Sequence, residues 1–289
     1  MFTLKGIGVE DASFGWPKKC KKNGCFAMAL YIASLNSGSN GNCYYIGNEH
    51  EAILVDAGIS CRETEKRLKQ SGLTFDKIKA IFISHEHTDH TRGVEVISKK
   101  HRVPVYISTE AYRNSRLNLE DNLRAALSPQ VPVVIGSLTI SAFPKLHDAA
   151  DPFSFTISND GITVGVFTDI GSPCESVIKH FGLCHAAFLE ANYDDEMLDK
   201  GDYPFYLKNR IRGDHGHLSN EQALELFSMH KPPFMTHLLL SHLSQDNNNP
   251  DLVSDLFLKH ADGARITVAS RYEPSPVFCI GSPAQMSLF

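Results

Sequence analysis

The sequence predicts an α/β protein in which two β-sheets pack face to face with helices on the outside. Three observations lead there. Short apolar runs of strand length follow one another early, at 28–35, 42–47 and 51–56, as in a meander. Further along, similar runs alternate with segments of helical spacing. No internal repeat, low-complexity tract or Pro/Gly linker divides the series. Strands with two apolar faces need a second sheet on one side and helices on the other.

The first run is Met28-Ala-Leu-Tyr-Ile-Ala-Ser-Leu35, and the third ends in Ala52-Ile-Leu-Val-Asp56; both are too short for helices and rich in strand-forming residues. A helix is expected at 62–71, then a strand at 80–84 containing Ala80-Ile-Phe-Ile83. Helices at 89–101, 109–116 and 119–127 follow, with a strand at 104–107 after the first. Strands are expected at 137–143, 153–158 and 162–168, a helix at 173–181 and a strand at 185–190. The remaining helices fall at 203–212, 219–229 and 250–260, with strands at 235–241 and 265–269. Ser219 followed by Gln222 makes an N-terminal capping box for the second of these helices.

With 289 residues the chain can bury a sizeable core in one large domain. Its net charge of −5 gives no global attraction to nucleic acid, so a phosphate-rich substrate would be held by local basic groups and metals. The seven cysteines (Cys20, Cys25, Cys43, Cys61, Cys174, Cys184 and Cys279) have no C-x-x-C spacing, and their odd number argues against a disulfide framework. The expected compartment is the reducing cytoplasm. Lys18-Lys19-Cys20-Lys21-Lys22 before an apolar stretch imitates a signal peptide, but that stretch runs directly into loop residues with chemistry, so the imitation is rejected. Residues 1–27 are read as an N-terminal extension, 28–280 as the catalytic domain and 281–289 as a C-terminal tail. No apolar stretch has the length of a membrane span.

The chemistry begins at Ser84-His-Glu-His-Thr-Asp-His90, directly after an apolar strand. His85, His87, Asp89 and His90 packed this closely would each be costly if buried without partners, whereas a divalent cation satisfies all of them. Histidines at i and i+2 in an extended loop converge on one point, and the Asp-His pair after them can serve a second ion. Downstream, His147, Asp169 and His242 each stand just after an apolar run, where a sheet presents ligands.

In this order the motifs resemble those of metallo-β-lactamase-fold hydrolases over residues 28–280. The resemblance implies a single-domain, four-layer αββα sandwich. It also implies one metal on His85, His87 and His147, a second on Asp89, His90 and His242, and Asp169 bridging both. Asp56 matches the family's first motif, which orients a ligand histidine. Histidine stands where redox diiron relatives have glutamate, which implies hydrolysis with zinc or manganese. Ser37-Gly-Ser-Asn-Gly-Asn-Cys43, Gly216-His-Leu-Ser-Asn220 and Leu240-Ser-His-Leu-Ser244 with Asn247-Asn-Asn-Pro250 are similar to the bacterial YycJ-like (WalJ) group, related to RNase Z- and RNase J-type nucleases. Leu189-Glu-Ala-Asn192 corresponds to RNase Z's His-Glu-Ala-Thr, keeping Glu190 and departing at both ends.

The activity this implies is cleavage of phosphodiester bonds in nucleic acid, DNA before RNA, in a 5′-to-3′ exonuclease. A metal-activated water attacks phosphorus, Asp89 orients or deprotonates it, and His217 held by Glu190 protonates the leaving oxygen. The competing reading of Glu190 and His217 is an ion pair that anchors a loop. Ser39, Asn40 and Asn42, with Ser219, Asn220, Asn247 and Asn248, are candidate substrate contacts through small polar loops, which serve equally as strand-connecting turns. Arg113, Arg116, Arg124 and the segment Tyr203–Arg212 offer phosphate contacts and stacking, or solvated helix faces. His50, His101, His180, His185, His230, His237 and His260 are read as ordinary partnered or solvated imidazoles.

Asp169 and His242 lie 73 positions apart, too close for the insert domain of RNase J-like relatives, and no long Gly/Pro-rich arm of the RNase Z kind is visible. The tail Gln285-Met-Ser-Leu-Phe289 resembles the peptide by which bacterial DNA-handling enzymes dock on the sliding clamp. Two other functions stay open on these residues: a small-molecule hydrolase of lactone, thioester or lactam bonds, since one metal site serves both chemistries, and a regulatory binding protein linked to cell-wall signalling.

Overall fold

The computed structural model describes residues 29–129 and 131–281, so the 1–27 extension and the Gln285–Phe289 motif lie outside the described residues. One seven-stranded sheet holds β1 (Leu30–Asn36), β2 (Cys43–Gly47), β3 (Ala52–Val55), β4 (Ile78–Phe82), β5 (Val105–Ile107), β6 (Arg124–Ala126) and β14 (Phe278–Ile280), in the order β14-β1-β2-β3-β4-β5-β6. The other holds β7 (Val133–Ile135), β8 (Leu138–Pro144), β9 (Phe153–Asn159), β10 (Ile162–Phe167), β11 (Ala186–Glu190), β12 (His237–Ser241) and β13 (Arg265–Val268), in sequential reverse order. Both sheets are mixed. The runs β3 to β6 and β10 to β13 are parallel, and the others pair antiparallel.

Side-chain alternation along each strand builds the layers. Leu30, Ile32, Tyr44, Ile46, Ile53 and Phe82 meet Ile140, Phe155, Ile157, Val164 and Phe188 between the sheets. Their neighbours Tyr31, Ala33, Tyr45, Leu54 and Ile81 point the other way. They pack against helices α1 (Cys61–Gln70) and α3 (Val94–His101) through Leu68 and Ile97. On the far side, Phe167, Leu189, Leu238 and Leu240 take up α5 (Glu175–Phe181), α8 (Asn220–His230) and α9 (Pro250–Leu258) through Val177, Phe227 and Phe257. This is the expected four-layer αββα arrangement.

The expected 89–101 helix is interrupted. It divides into α2 (Thr88–Thr91) and α3 at Gly93, whose amide donates to Ala57 O at 2.8 Å and whose Cβ, if present, would lie 2.0 Å from Ile59 O. The expected 119–127 helix is not formed. After one 3₁₀ turn, Arg124–Ala126 pair in parallel with Val105–Ile107, because the sheet edge offers hydrogen bonds that local helical spacing cannot outweigh. Strands β7 and β14 and helix α6 (Asp195–Lys200) were not anticipated. β7 joins β8 through Gly136, whose φ of +59° suits the tight turn. Among the described residues no helix is long and apolar enough to cross a membrane.

Candidate metal centre

The site lies where strands of both sheets end. Asp56 follows β3, His85 follows β4, His147 follows β8, Asp169 follows β10, Glu190 ends β11 and His242 follows β12. Asp56, Asp169 and His242 have φ of 59°, 55° and 57°, a left-handed conformation that costs about 1–3 kcal/mol for residues other than glycine. Three such turns at one site show a backbone bent to aim side chains inward.

Those turns gather two donor groups whose ligand atoms lie within 4.8 Å of one another: His85 with His87 and His147, and Asp89 with His90, Asp169 and His242. Asp169 spans them. Its Oδ2 is 3.1 Å from His90 Nε2, and its Oδ1 is 3.3 Å from His242 Nδ1 and 3.8 Å from His147 Nε2. Asp89 Oδ2 stands 3.3 Å from His90 Nε2 and 3.6 Å from His242 Nε2.

The outer nitrogens of His85, His90, His147 and His242 are held from behind, which leaves their inner ones for a cation. Asp56 Oδ2 is 2.8 Å from His90 Nδ1, while Asp56 also accepts from the Ser84 amide and hydroxyl. The Ser84 hydroxyl is 2.9 Å from His85 Nδ1. His147 Nδ1 donates to Gly216 O at 3.1 Å, and His242 Nδ1 is 2.9 Å from Glu190 Oε1. His147 Nε2, His242 Nε2 and Asp169 Oδ2 are buried and make no well-formed hydrogen bond, their polar neighbours including other members of the two donor groups. Atoms orphaned in this way cost about 1–3 kcal/mol each, so three orphans converging between two imidazole–carboxylate sets fit metal ions.

Electrostatics agree. Burial disfavours ionising Asp169, yet His242 and His90 beside it hold its carboxyl well below the usual range. Burial likewise opposes protonating His242, but Asp169, Asp89 and Glu190 raise it to about 10. Carboxylates that draw protons onto histidines this strongly would hold divalent cations in the protons' place. Burial, aided by His90 and Lys145, pushes His85 down, and burial aided by Lys145 and His217 pushes His147 down to about 3, so both rings are kept neutral and ready to ligate.

Glu190 is fully buried and serves two rings. Its Oε1 lies 2.8 Å from His217 Nδ1 as well as against His242, and its Oε2 accepts from the Ile170 amide at 2.6 Å. His217 is not buried. It lines a cleft of about 320 Å³ together with Ser39, His87, Asp89, His147, Asp148, Asn192, Tyr203, Arg210, His242 and Ser244.

Ser39 and Asn40 are exposed, and Ser39 reaches the cleft. Asn42 is fully buried. Its amide donates to Asp89 Oδ2 at 3.2 Å, and its carbonyl accepts from Tyr44 OH, so it supports a ligand rather than facing the cleft. The other proposed substrate contacts are used within the protein. Ser219 caps α8, Asn220 and Asn248 bond each other at 3.0 Å, Asn248 also donates to Ala191 O, and Asn247 O accepts the Asp194 amide. These four are buried and do not line the cleft; Ser219, Asn220 and Asn248 would lose side-chain hydrogen bonds by turning outward, and Asn247 holds its loop through its backbone carbonyl.

Sequence reading passed over Ser84, Lys145, Asp148 and Arg67. Lys145 is buried, donates to Thr168 O at 2.7 Å and sits among Asp169, Asp56 and Glu190, with burial lowering its pKa. Asp148 binds Arg210, and Arg67 on α1 donates to Leu35 O and Tyr272 O, tying the end of β1 to the segment at Tyr272. Only Ser84 and Asp148, as direct neighbours of ligand histidines, carried a sequence signal.

A family model described as the β-lactamase superfamily domain matches residues 51–242. The chain belongs to the metallo-β-lactamase superfamily. This metallo-β-lactamase-fold chain is 33% identical over 229 residues to the exodeoxyribonuclease YycJ of Bacillus anthracis, a match covering 78% of this chain and 86% of that one. It is 30% identical over 223 residues to the exodeoxyribonuclease WalJ of Streptococcus pneumoniae, covering 75% and 83%. Its fold is similar to the metallo-β-lactamase-fold protein YhfI from Bacillus subtilis, with a TM-score of 0.68 at 16% identity over 87% of this chain and 99% of that one. Human tRNase Z, short form, aligns with a TM-score of 0.56 at 17% identity, covering 85% and 98%. Family and donor set together make this a metal-dependent hydrolase.

Proposed function

We propose that this metal-dependent hydrolase cleaves phosphodiester bonds of nucleic acid, as a 5′-to-3′ exonuclease acting on DNA in preference to RNA. The observation that supports it most is similarity to two proteins named exodeoxyribonuclease, each matched over more than four fifths of its own length. The polar cleft wall, with Arg210, Ser39 and Ser244 beside the donor groups, offers contacts to a phosphate backbone.

His85, His87 and His147 would hold one divalent ion, and Asp89, His90 and His242 a second, with Asp169 shared; zinc or manganese suits these donors. When bound, such ions make water nucleophilic near neutral pH and offset charge on the reacting phosphate. Asp89 orients the attacking water or takes its proton, and Asn42 keeps that carboxylate in place. His217 delivers a proton to the leaving oxygen. Glu190 engages its Nδ1, which leaves Nε2 as the nitrogen available to the cleft. We further infer a cytoplasmic site of action, in keeping with the thiols of Cys43, Cys61, Cys174 and Cys184, and docking on the sliding clamp through Gln285–Phe289.

The test is degradation of end-labelled single- and double-stranded DNA and RNA by purified protein loaded with Mn²⁺ or Zn²⁺, with Asp89→Ala as control. Stepwise, Asp89-dependent release of nucleotides from 5′ ends is expected. No cleavage with either metal would overturn the reading and direct attention to lactone and thioester substrates.

A further inference from the structure

We propose that helix α7 (Phe205–Arg212) is a stacking platform for unpaired bases of a nucleic-acid strand whose backbone enters the metal cleft. The proposal rests on the phosphodiesterase reading and narrows its substrate to strands with unpaired bases beside the scissile bond. Phe205 and Tyr206 are 78% and 73% exposed, and α7 buries no residue. Two large aromatic side chains standing in water on consecutive positions leave apolar area uncovered, which marks a binding surface.

The platform's position is fixed relative to the cleft. Tyr203, Leu207, Arg210 and Ile211 line the cleft, and on a helix Tyr206 lies one turn before Arg210 on the same side. At the C-terminal end, the His217 amide donates to Ile211 O at 2.9 Å, so the helix runs directly into the segment that carries the proton donor. Lys208 donates to Asp199 O and Arg212 pairs with Asp199, which fastens α7 to α6.

Charge contributes. The helix carries Lys208, Arg210 and Arg212 and no acidic residue of its own; Arg210 and Arg212 pair with Asp148 and Asp199, and Lys208 stands outside these ion pairs as a cation for an anionic chain. Arg210 is held by Asp148 across the cleft mouth, 2.6 Å from its Nε, which aims the guanidinium at the path a phosphate backbone would follow. Every base has a π-face, so Tyr206 on the cleft side, with Phe205 exposed at the start of the helix, can stack on a strand of any sequence, as suits an enzyme moving along one.

The test measures binding by fluorescence anisotropy with metal-loaded, full-length protein. The probes are a labelled single-stranded oligonucleotide with cleavage-resistant phosphorothioate linkages and its abasic counterpart, which keeps the backbone and lacks the bases. Cleavage of the corresponding plain oligonucleotides is followed in parallel. The wild type is expected to bind the base-bearing strand roughly 10-fold or more tightly than the abasic one. Phe205→Leu/Tyr206→Leu should abolish that preference while leaving abasic binding unchanged, which also shows that the variant is folded. Equal affinity for the two strands in the wild type, or an unchanged preference in the variant, overturns the platform, and α7 would then face a protein partner. Base-dependent binding without cleavage sinks the phosphodiesterase reading alone, whereas cleavage without base dependence sinks the platform alone.

Discussion

Glu190 concentrates the residue-scale logic of this site, since one buried carboxylate holds both His242 of the donor group and His217 at the cleft. If His217 acts on the leaving group, His217→Ala should lower kcat on oligonucleotides by about 10²–10⁴-fold. Metal content, read by elemental analysis, should stay at the wild-type level; full activity would restore the loop-anchoring alternative. Glu190 also has a pH signature. Burial would raise its pKa, but His217 and His242 hold it down to about 2, so the unfolded chain binds this proton more readily than the folded one. Its contribution is therefore complete above the unfolded value and is lost as pH falls from about 4.5 toward 2, amounting to about 3 kcal/mol. Urea unfolding of chelated protein between pH 5 and pH 3 should show a steeper loss for wild type than for Glu190→Gln.

At the scale of elements, the loops after strands matter more than the strands. The turn at 56–60 and the 37–42 loop interlock, with Gly58 donating to Asn42 O and the Asn42 amide donating to Asp89 O. A Cβ on Gly58 would lie 1.6 Å from Asp89 O, a clash with backbone that no rotamer relieves. Gly58→Ala should therefore cost several kcal/mol and reduce bound metal, seen as a lower melting temperature and substoichiometric metal. A normal melting temperature with full metal loading would show that the two loops move independently. The same interlock explains why Asn42 looked like a substrate contact in sequence: a small polar loop residue reads alike whether it faces a ligand or a neighbouring turn.

For the whole molecule, the two sheets form a rigid wedge whose strand ends converge, and metal ions would join ligands from both. Binding that favours the folded state stabilises it by mass action, so chelation should lower the melting temperature, and the shift should grow with added free Zn²⁺ or Mn²⁺ on reloading. A melting temperature indifferent to EDTA would contradict a site that bridges the sheets. Mismatches between expectation and fold lie mostly at the periphery: β6 and β7 at sheet edges, β14 near the end, and the split between α2 and α3. These edge strands have only three residues each, too few to carry periodicity, and their state depends on the neighbouring strand that offers to pair.

The sequence by itself determined the two-sheet architecture, through period-2 burial, and the closely spaced donors His85, His87, Asp89 and His90; His147, Asp169 and His242 were pointed to by the family resemblance, and the fold brings all seven donors together. Tertiary structure alone decided what stands behind those ligands and what faces outward. Ser84, Lys145 and the Asn42 amide became supports, Ser219, Asn220, Asn247 and Asn248 turned inward, and Phe205 and Tyr206 were left in solvent. The physical reason is that polar and aromatic side chains at loops are committed only when a distant segment offers or withholds a partner, and that choice is made by packing rather than by neighbours in sequence.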